Sequence, residues 1–457
     1  MAPVDTADLV ERLWARDATL WTGRDESRWL GWLDEPSRMR ERVDELEEFG
    51  RSAWADGFTA AVLLGMGGSS LAPEVLRRAY GSGRLHVLDT THPVAVRRVA
   101  DSLDPEHTLF VVASKSGTTL ETRSHLDFFW EWAGRRGSSF VAITDPGSEL
   151  ENLASERGFR ATFAGEPTIG GRYSALSVFG LVPGALAGAD LAGLLEQAEE
   201  TADACRSDEN PGLDLGLALG TGWLEGRDKV VVPEANGFEL WLEQLLAEST
   251  GKQGKGLIPA PGELPTGSDR QRHDVRVTEP ADLGAEFYRW EFATAAAGSL
   301  LGINPFDQPN VQESKDRTAA LLSGRGRGQT PDVFEGDVDE LLAGAQEGDY
   351  IAVQAFIDPA RESKLDPLVT RARKTGCVVT KGLGPRYLHS TGQLHKGGSP
   401  KGRFIQVVDD PGEELDIPGR PFGFAQLISA QAAGDYEALK ERGRPIVRAT
   451  LEEVETL

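Results

Sequence analysis

Six short stretches of this 457-residue chain hold the side chains that could do chemistry. SKSGTT, Ser114 to Thr119, joins the apolar run TLFVVA to the helix-like LETRSHLDFFWEWAG. The hydroxyls of Ser114, Ser116, Thr118 and Thr119, the charge of Lys115 and the free amides of a helix start suit a phosphate dianion. The plain alternative is an N-cap by Thr118 or Thr119 with the spare hydroxyls in water, but four hydroxyls exceed the needs of one cap. In GMGGSSLAP, Gly65 to Pro73, glycines at a strand end leave amides free and let a ligand approach the backbone around Gly67, Gly68 and Ser69. This is not the dinucleotide fingerprint, whose third glycine would fall at Ser70, nor a P-loop, since no Lys-Ser/Thr follows.

IGGRYSALS offers Arg172 as a fixed charge in a cleft or as an ordinary salt-bridge partner. In LEQLLAESTGKQGKG, Gln244 and Glu248 stand four apart on one helix and so share a face. Glu248 lies at the helix end before Gly251, where the macrodipole makes a carboxylate charge unfavourable. A general base has use for that setting, and an exposed acid is the plain alternative. NPFDQPNVQESKDRTAALL supplies Gln308 and Lys315, and RYLHSTGQLHKGG supplies His389 and His395 around Gln393. A surface lysine and a structural histidine are the alternatives there.

Regular elements must bring these loops together. From residue 59 the apolar runs TAAVLLG, RLHVLD, TLFVVAS and SFVAIT alternate with the helical patterns LAPEVLRRAYG, PVAVRRVADSL, TLETRSHLDFFWEWAG and SELENLASERG. Continuous apolar strands between helices predict βαβ units and a parallel sheet buried on both faces. A helical stretch from Ser174 to about Glu225 follows, and its Pro/Asn/Gly-rich SDENPG reads as a domain boundary. A second alternating region starts at DKVVVPE and continues through the strands DVRVTE, DYIAVQAFI, CVVTKG and GRFIQVVDD. Its helices are GFELWLEQLLAE, GAEFYRWEFATAAAGSLLG and LDPLVTRARKTG, and SGRGRGQTPDVFEGD is a loop. The expected fold is α/β, with two doubly wound parallel-sheet domains of three αβα layers. The boundaries read as an N-terminal helical segment at 1–50, a first domain at 51–208 and a second at 209–457.

The formal charge of −24 argues against nucleic acid, so an anionic ligand would need a local positive pocket. Cys205 and Cys377 make neither a disulfide framework nor a zinc site, and a reducing cytoplasm is expected. No segment approaches 18 uninterrupted apolar residues, so no membrane span is expected. The histidines form no HxxxH pair, and no metal centre is expected.

Taken together, GMGGSSLAP, SKSGTTLET, IGGRYSALS, ESTGK and NPFDQPNVQESK stand in the order of the phosphoglucose isomerase family, which the chain resembles over nearly its whole length. In texture it is closest to the isomerase half of the fused transaldolase/glucose-6-phosphate isomerase of actinobacterial type, with no room for a transaldolase barrel. The resemblance implies two sugar-isomerase (SIS) domains. It also implies reversible isomerisation of D-glucose 6-phosphate and D-fructose 6-phosphate through a cis-enediolate, in glycolysis and gluconeogenesis, with neither metal nor cofactor. Glu248 matches the base that moves a proton between C2 and C1, and Arg172 the arginine that stabilises the enediolate. Ser69, beside Gly67 and Gly68, matches a substrate contact; Ser114, Ser116 and Thr119, beside Lys115 and Thr118, match the phosphate-binding hydroxyls. Gln244 and Gln308 match two glutamines lining the site, and Lys315 a lysine that assists ring opening with a histidine.

That histidine is the departure. In the family it lies between the base and the lysine, but here the corresponding text holds only His273, in no recognisable motif. The family's LHS-GQ pattern appears later, with His389, so ring opening is assigned to His389 and a rearranged connectivity in the second domain is implied. The implied partners are a small sugar phosphate and, as a homodimer, a second copy that completes the site. Two other readings are a relaxed isomerase that also takes mannose 6-phosphate and a non-catalytic SIS module that senses sugar phosphates. A sensor needs SKSGTT but has no use for Glu248, Arg172 and Lys315 in their motif settings.

Overall fold

In the first half of the chain the apolar runs form strands whose successive residues enter two different cores. Ala61, Leu63, Leu109 and Val111 pack in one apolar cluster, and Val62, Leu64, Phe110 and Val112 pack in another on the opposite face. A sheet buried on both faces needs no polar alternation, which is why these strands read as continuous hydrophobic runs. The computed structural model describes residues 6–207, 209–324 and 336–456, without the side chains of residues 311–316. Strands β1 (Ala60–Gly65), β2 (Leu85–Leu88), β3 (Thr108–Ala113), β4 (Phe140–Thr144) and β5 (Ala161–Ala164) form a parallel sheet in the order β2-β1-β3-β4-β5. The four helices expected between them are present at Leu71–Ala79, Pro93–Asp101, Leu120–Trp132 and Glu149–Glu156. The helical stretch that follows is three helices, Val178–Ala187, Leu191–Ala204 and Pro211–Leu224.

The second half builds two further parallel sheets. Strands β6 (Lys229–Val231), β7 (Ile258–Pro259) and β8 (Arg270–Arg272) pair in the order β7-β6-β8. Strands β9 (Tyr350–Phe356), β10 (Val378–Leu383), β11 (Gly402–Val408) and β12 (Ile446–Thr450) pair in the order β10-β9-β11-β12. The whole is an α/β fold with parallel sheets, consistent with doubly wound architecture. The largest apolar cluster draws on both sides of residue 208, from Leu9 to Phe306.

One expected strand is corrected. DVRVTE, residues 274–279, is not a strand: the segment that pairs with β6 is β8 just upstream, which ends at Arg272. Val275 and Val277 instead pack half-buried against the large cluster. Of the expected loop SGRGRGQTPDVFEGD, residues 325–335 lie outside the described residues. No helix among the described residues is long and apolar enough to cross a membrane.

Candidate active site

The loops singled out above converge beyond the carboxyl ends of strands, where ligands of open α/β sheets bind. The last two turns of the helix Phe238–Thr250 are buried throughout, polar residues included. Gln244 and Glu248 do share a face there: Gln244 Nε2 donates to Glu248 Oε2 at 3.0 Å and to the His389 carbonyl at 2.8 Å. Opposite them stands Arg172, 1% exposed, whose Nη1 lies 3.4 Å from Glu248 Oε1. The arginine sits on a single helical turn, Gly171–Tyr173. Its Nε donates to Ser249 Oγ at 2.8 Å and its Nη1 to Gln308 Oε1 at 3.0 Å. Its Nη2 donates to the carbonyls of Pro305 (2.7 Å) and Asp307 (2.9 Å). A guanidinium so engaged is rigid, and its Nη1, shared with Gln308, faces the Glu248 carboxylate.

Two glycines permit this convergence. A Cβ on Gly67, which has φ +55°, would lie 2.7 Å from the His389 carbonyl and 2.9 Å from Gln244 Nε2. On Gly68 it would lie 2.1 Å from the Gly171 carbonyl. The Gly-rich loop after β1 is thus the place where the backbones at Gly171 and His389 and the Gln244 side chain meet. Ser69, Lys115, Gly171 and Ser174 line one narrow cavity beside it.

The loop after β3 keeps its helix start open. Thr119 is the N-cap residue of Leu120–Trp132, yet its side chain makes no capping bond. The hydroxyls pair instead with one another, Ser114 with Thr119 at 3.0 Å and Ser116 with Thr118 at 3.0 Å. Ser116 and Thr118 are exposed, and the positive helix end faces the same loop. Lys115 turns away from these hydroxyls to the Asp145 carboxylate and the carbonyls of Glu166 and Pro167.

His389 is held from the first half of the chain. Its Nε2 lies 2.9 Å from Glu121 Oε1, and the same oxygen accepts from Gln431 Nε2 at 2.7 Å. Glu121 is in the first turn of the helix that starts at SKSGTT, so one helix joins the hydroxyl loop to His389. The other two histidines considered are elsewhere. His273 bonds Gln271 Oε1 at 2.8 Å and lines a different surface cleft with Arg272, Arg276 and Arg289. Burial pushes its pKa down to about 4. His395 is buried against Tyr350, Tyr387 and Phe404, bonded to Gln354 at 2.9 Å, and burial pushes it down to about 3. Lys315 falls on the helix Val311–Gly324, but its side chain lies outside the described residues.

The structure therefore brings together Gly67, Gly68, Arg172, Gln244, Glu248, Gln308 and His389, with Ser69 and the SKSGTT loop adjoining. Reading the sequence missed Glu121, Gln431, Ser249 and the ion pair of Lys252 with Asp307. Lys252 was in view within ESTGK; Glu121 carried no signal, because an acidic residue in a first helical turn has an ordinary dipole reason. Among the described residues no group of three or more His, Cys, Asp or Glu could hold a metal ion.

Comparison with known proteins gives this geometry its context. The family described as phosphoglucose isomerase matches residues 35–205. The chain is 33% identical over 403 residues to a glucose-6-phosphate isomerase of Gloeothece citriformis, covering 65% of this chain and 76% of the relative. It is 31% identical over 386 residues to that of Carboxydothermus hydrogenoformans, covering 73% and 82%. In fold it is similar to the crystal structure of a glucose-6-phosphate isomerase from Chlamydia trachomatis, with TM-score 0.57, 20% identity and coverage of 69% of this chain and 84% of that one. A hypothetical protein from Thermus thermophilus is similar over 97% of this chain and 83% of its own, with TM-score 0.50 and 23% identity.

Proposed function

The chain belongs to the phosphoglucose isomerase family, and on that premise we propose that it interconverts D-glucose 6-phosphate and D-fructose 6-phosphate through a cis-enediolate. The observation that carries the reading is the buried opposition of Glu248 and Arg172 at 3.4 Å, with Gln244 on the other carboxylate oxygen. Two opposite charges taken out of water are costly, and a proton-transfer site that develops negative charge on its substrate is a reason to keep them.

The phosphate is anchored by the hydroxyls of Ser114, Ser116, Thr118 and Thr119 and the open helix end, and that remote binding energy places C1 and C2 near Glu248. His389, oriented by Glu121, moves the proton between O5 and O1 as the ring opens, with Lys315 assisting. Glu248 removes the C2 proton, Arg172 balances the charge of the enediolate, and Glu248 returns the proton to C1. Both sugars are aldose and ketose of one formula, so no electron or group leaves. In this reading the parallel sheets are the cores of two SIS domains, and the motif texture is that of the isomerase half of the fused transaldolase enzymes.

A coupled assay of fructose 6-phosphate conversion tests it, with mannose 6-phosphate run in parallel. Glu248→Gln is expected to lower kcat by at least about 10²-fold, the lower end of what a positioned acid–base group contributes, while competitive inhibition by inorganic phosphate stays at its wild-type constant. A Glu248→Gln protein of wild-type activity would sink the assignment.

A further inference from the structure

We propose that Lys252 is a positioning residue that keeps Arg172 and Gln308 aimed at Glu248 by occupying the Asp307 carboxylate; this rests on the reading of Glu248 and Arg172 as the reacting pair. Lys252 lies two residues beyond the end of the Glu248 helix, and its side chain is 2% exposed. Its Nζ donates to the Asn304 carbonyl and to Asp307 Oδ1, the latter at 2.6 Å. Arg172 holds the same turn from the other side, through the carbonyls of Pro305 and Asp307 and the Gln308 amide. The start of the turn has supports of its own, since Asn304 accepts from the Phe306 amide and donates to Asp25. Among the described residues, the bonds that reach residues 307 and 308 come from these two cations.

The arrangement contains two cations and two carboxylates, Arg172 and Lys252 against Glu248 and Asp307. Arg172 is within one residue's reach of both acids, because it already holds the Asp307 carbonyl. Without Lys252 the Asp307 carboxylate has no cation of its own and competes with Glu248 for the guanidinium. An arginine drawn toward Asp307 leaves the face on which the enediolate charge develops. The site bears a cost for this lysine: burial first, and the Arg172 charge next, push its pKa down to about 7 against the pull of Asp307. A methionine would fill the same space without that cost but would leave the Asp307 carboxylate and the Asn304 carbonyl without this donor.

Lys252→Met, Asp307→Asn and the double variant test the inference. Lys252→Met is expected to lower kcat about 10²-fold, as a misplaced reacting group does, with KM and phosphate inhibition within about threefold of wild type. Asp307→Asn added to it is expected to restore kcat about tenfold, because the competing charge is gone. Hydrogen exchange of the peptides spanning residues 303–310 is read in each variant and does not depend on turnover. It should quicken in Lys252→Met and leave residues 114–122 unchanged. Wild-type kcat in Lys252→Met, or a loss that Asp307→Asn leaves in place, overturns the proposal. If the wild type does not convert either sugar phosphate, the proposed function fails, and unchanged exchange at 303–310 then overturns this inference separately. Lys252→Gln is read in the same way if the methionine variant does not fold.

Discussion

Arg172 shows how much of this site is decided at single side chains. Ser249, Gln308, two backbone carbonyls and Glu248 surround its guanidinium, so its position is fixed before any substrate arrives. A lysine would keep the charge but could not span those acceptors, being a point cation on a flexible stem. Arg172→Lys is therefore expected to lower kcat by about 10²–10³-fold, the range seen when one preorganised donor to a developing oxyanion is lost, with little change in phosphate inhibition. Steady-state kinetics with phosphate as competitor checks this, and a change confined to KM would contradict it. Glu248, Arg172, Gln244 and Gln308 were legible because each stands in a short motif whose neighbours fix its setting. Glu121 and Gln431 were not, because the partners of Glu121, His389 and Gln431, lie 268 and 310 residues away from it and only the folded chain joins them.

At the scale of elements, the loop after β3 shows what a backbone position contributes. Gly117 has φ +71°, and a Cβ there would lie 2.7 Å from the Leu150 amide nitrogen at the start of the next helix. Gly117→Ala must strain the loop and push its hydroxyls off the open helix end. We expect KM for the sugar phosphate to rise about tenfold while kcat changes little, since remote binding is weakened rather than the chemistry. Equal losses in kcat and kcat/KM would place the loop's role elsewhere. The elements of the first sheet were readable because a strand buried on both faces is a continuous apolar run, as in AAVLLG and TLFVVA. Strand β8 was not, because Arg-Gln-Arg is polar; it pairs with β6, where buried Lys229 is held by Asp228 and Asp269. The helix Phe424–Glu441 also escaped notice. Its apolar periodicity is broken by Gln431 and Asp435, which are buried because they partner Glu121, Lys396 and Tyr387.

Over the whole molecule, the two halves of the chain are tied by charge-assisted bonds at the strand ends that also carry the site. Arg386 forms a bidentate pair with Asp89, at 2.7 and 2.9 Å, and Asp89 directly follows β2. His92 meets Asp409 at 3.1 Å and Arg98 meets Asp358, and a neutral bond from Thr91 to Gln431 at 2.7 Å stands beside them. Such bonds are specific in geometry, so they fix the register of one half on the other more than an apolar seam would. Arg386 opens the short turn Arg386–His389, and a shift there moves His389 against Glu121. Asp89→Asn removes the charge of a carboxylate that is 5% exposed and leaves the arginine without its ion-pair partner. The expected result is a loss of about 2 kcal/mol in unfolding free energy, below the value for a fully buried pair because the arginine is 23% exposed. The same variant should lower turnover on the cyclic sugar phosphates, because it loosens the turn that presents His389, while Arg172 and Glu248 keep their bonds. Urea unfolding and the coupled assay measured on one preparation decide the point: a stability loss without a kinetic one would show that the bridge joins the halves but does not aim the histidine.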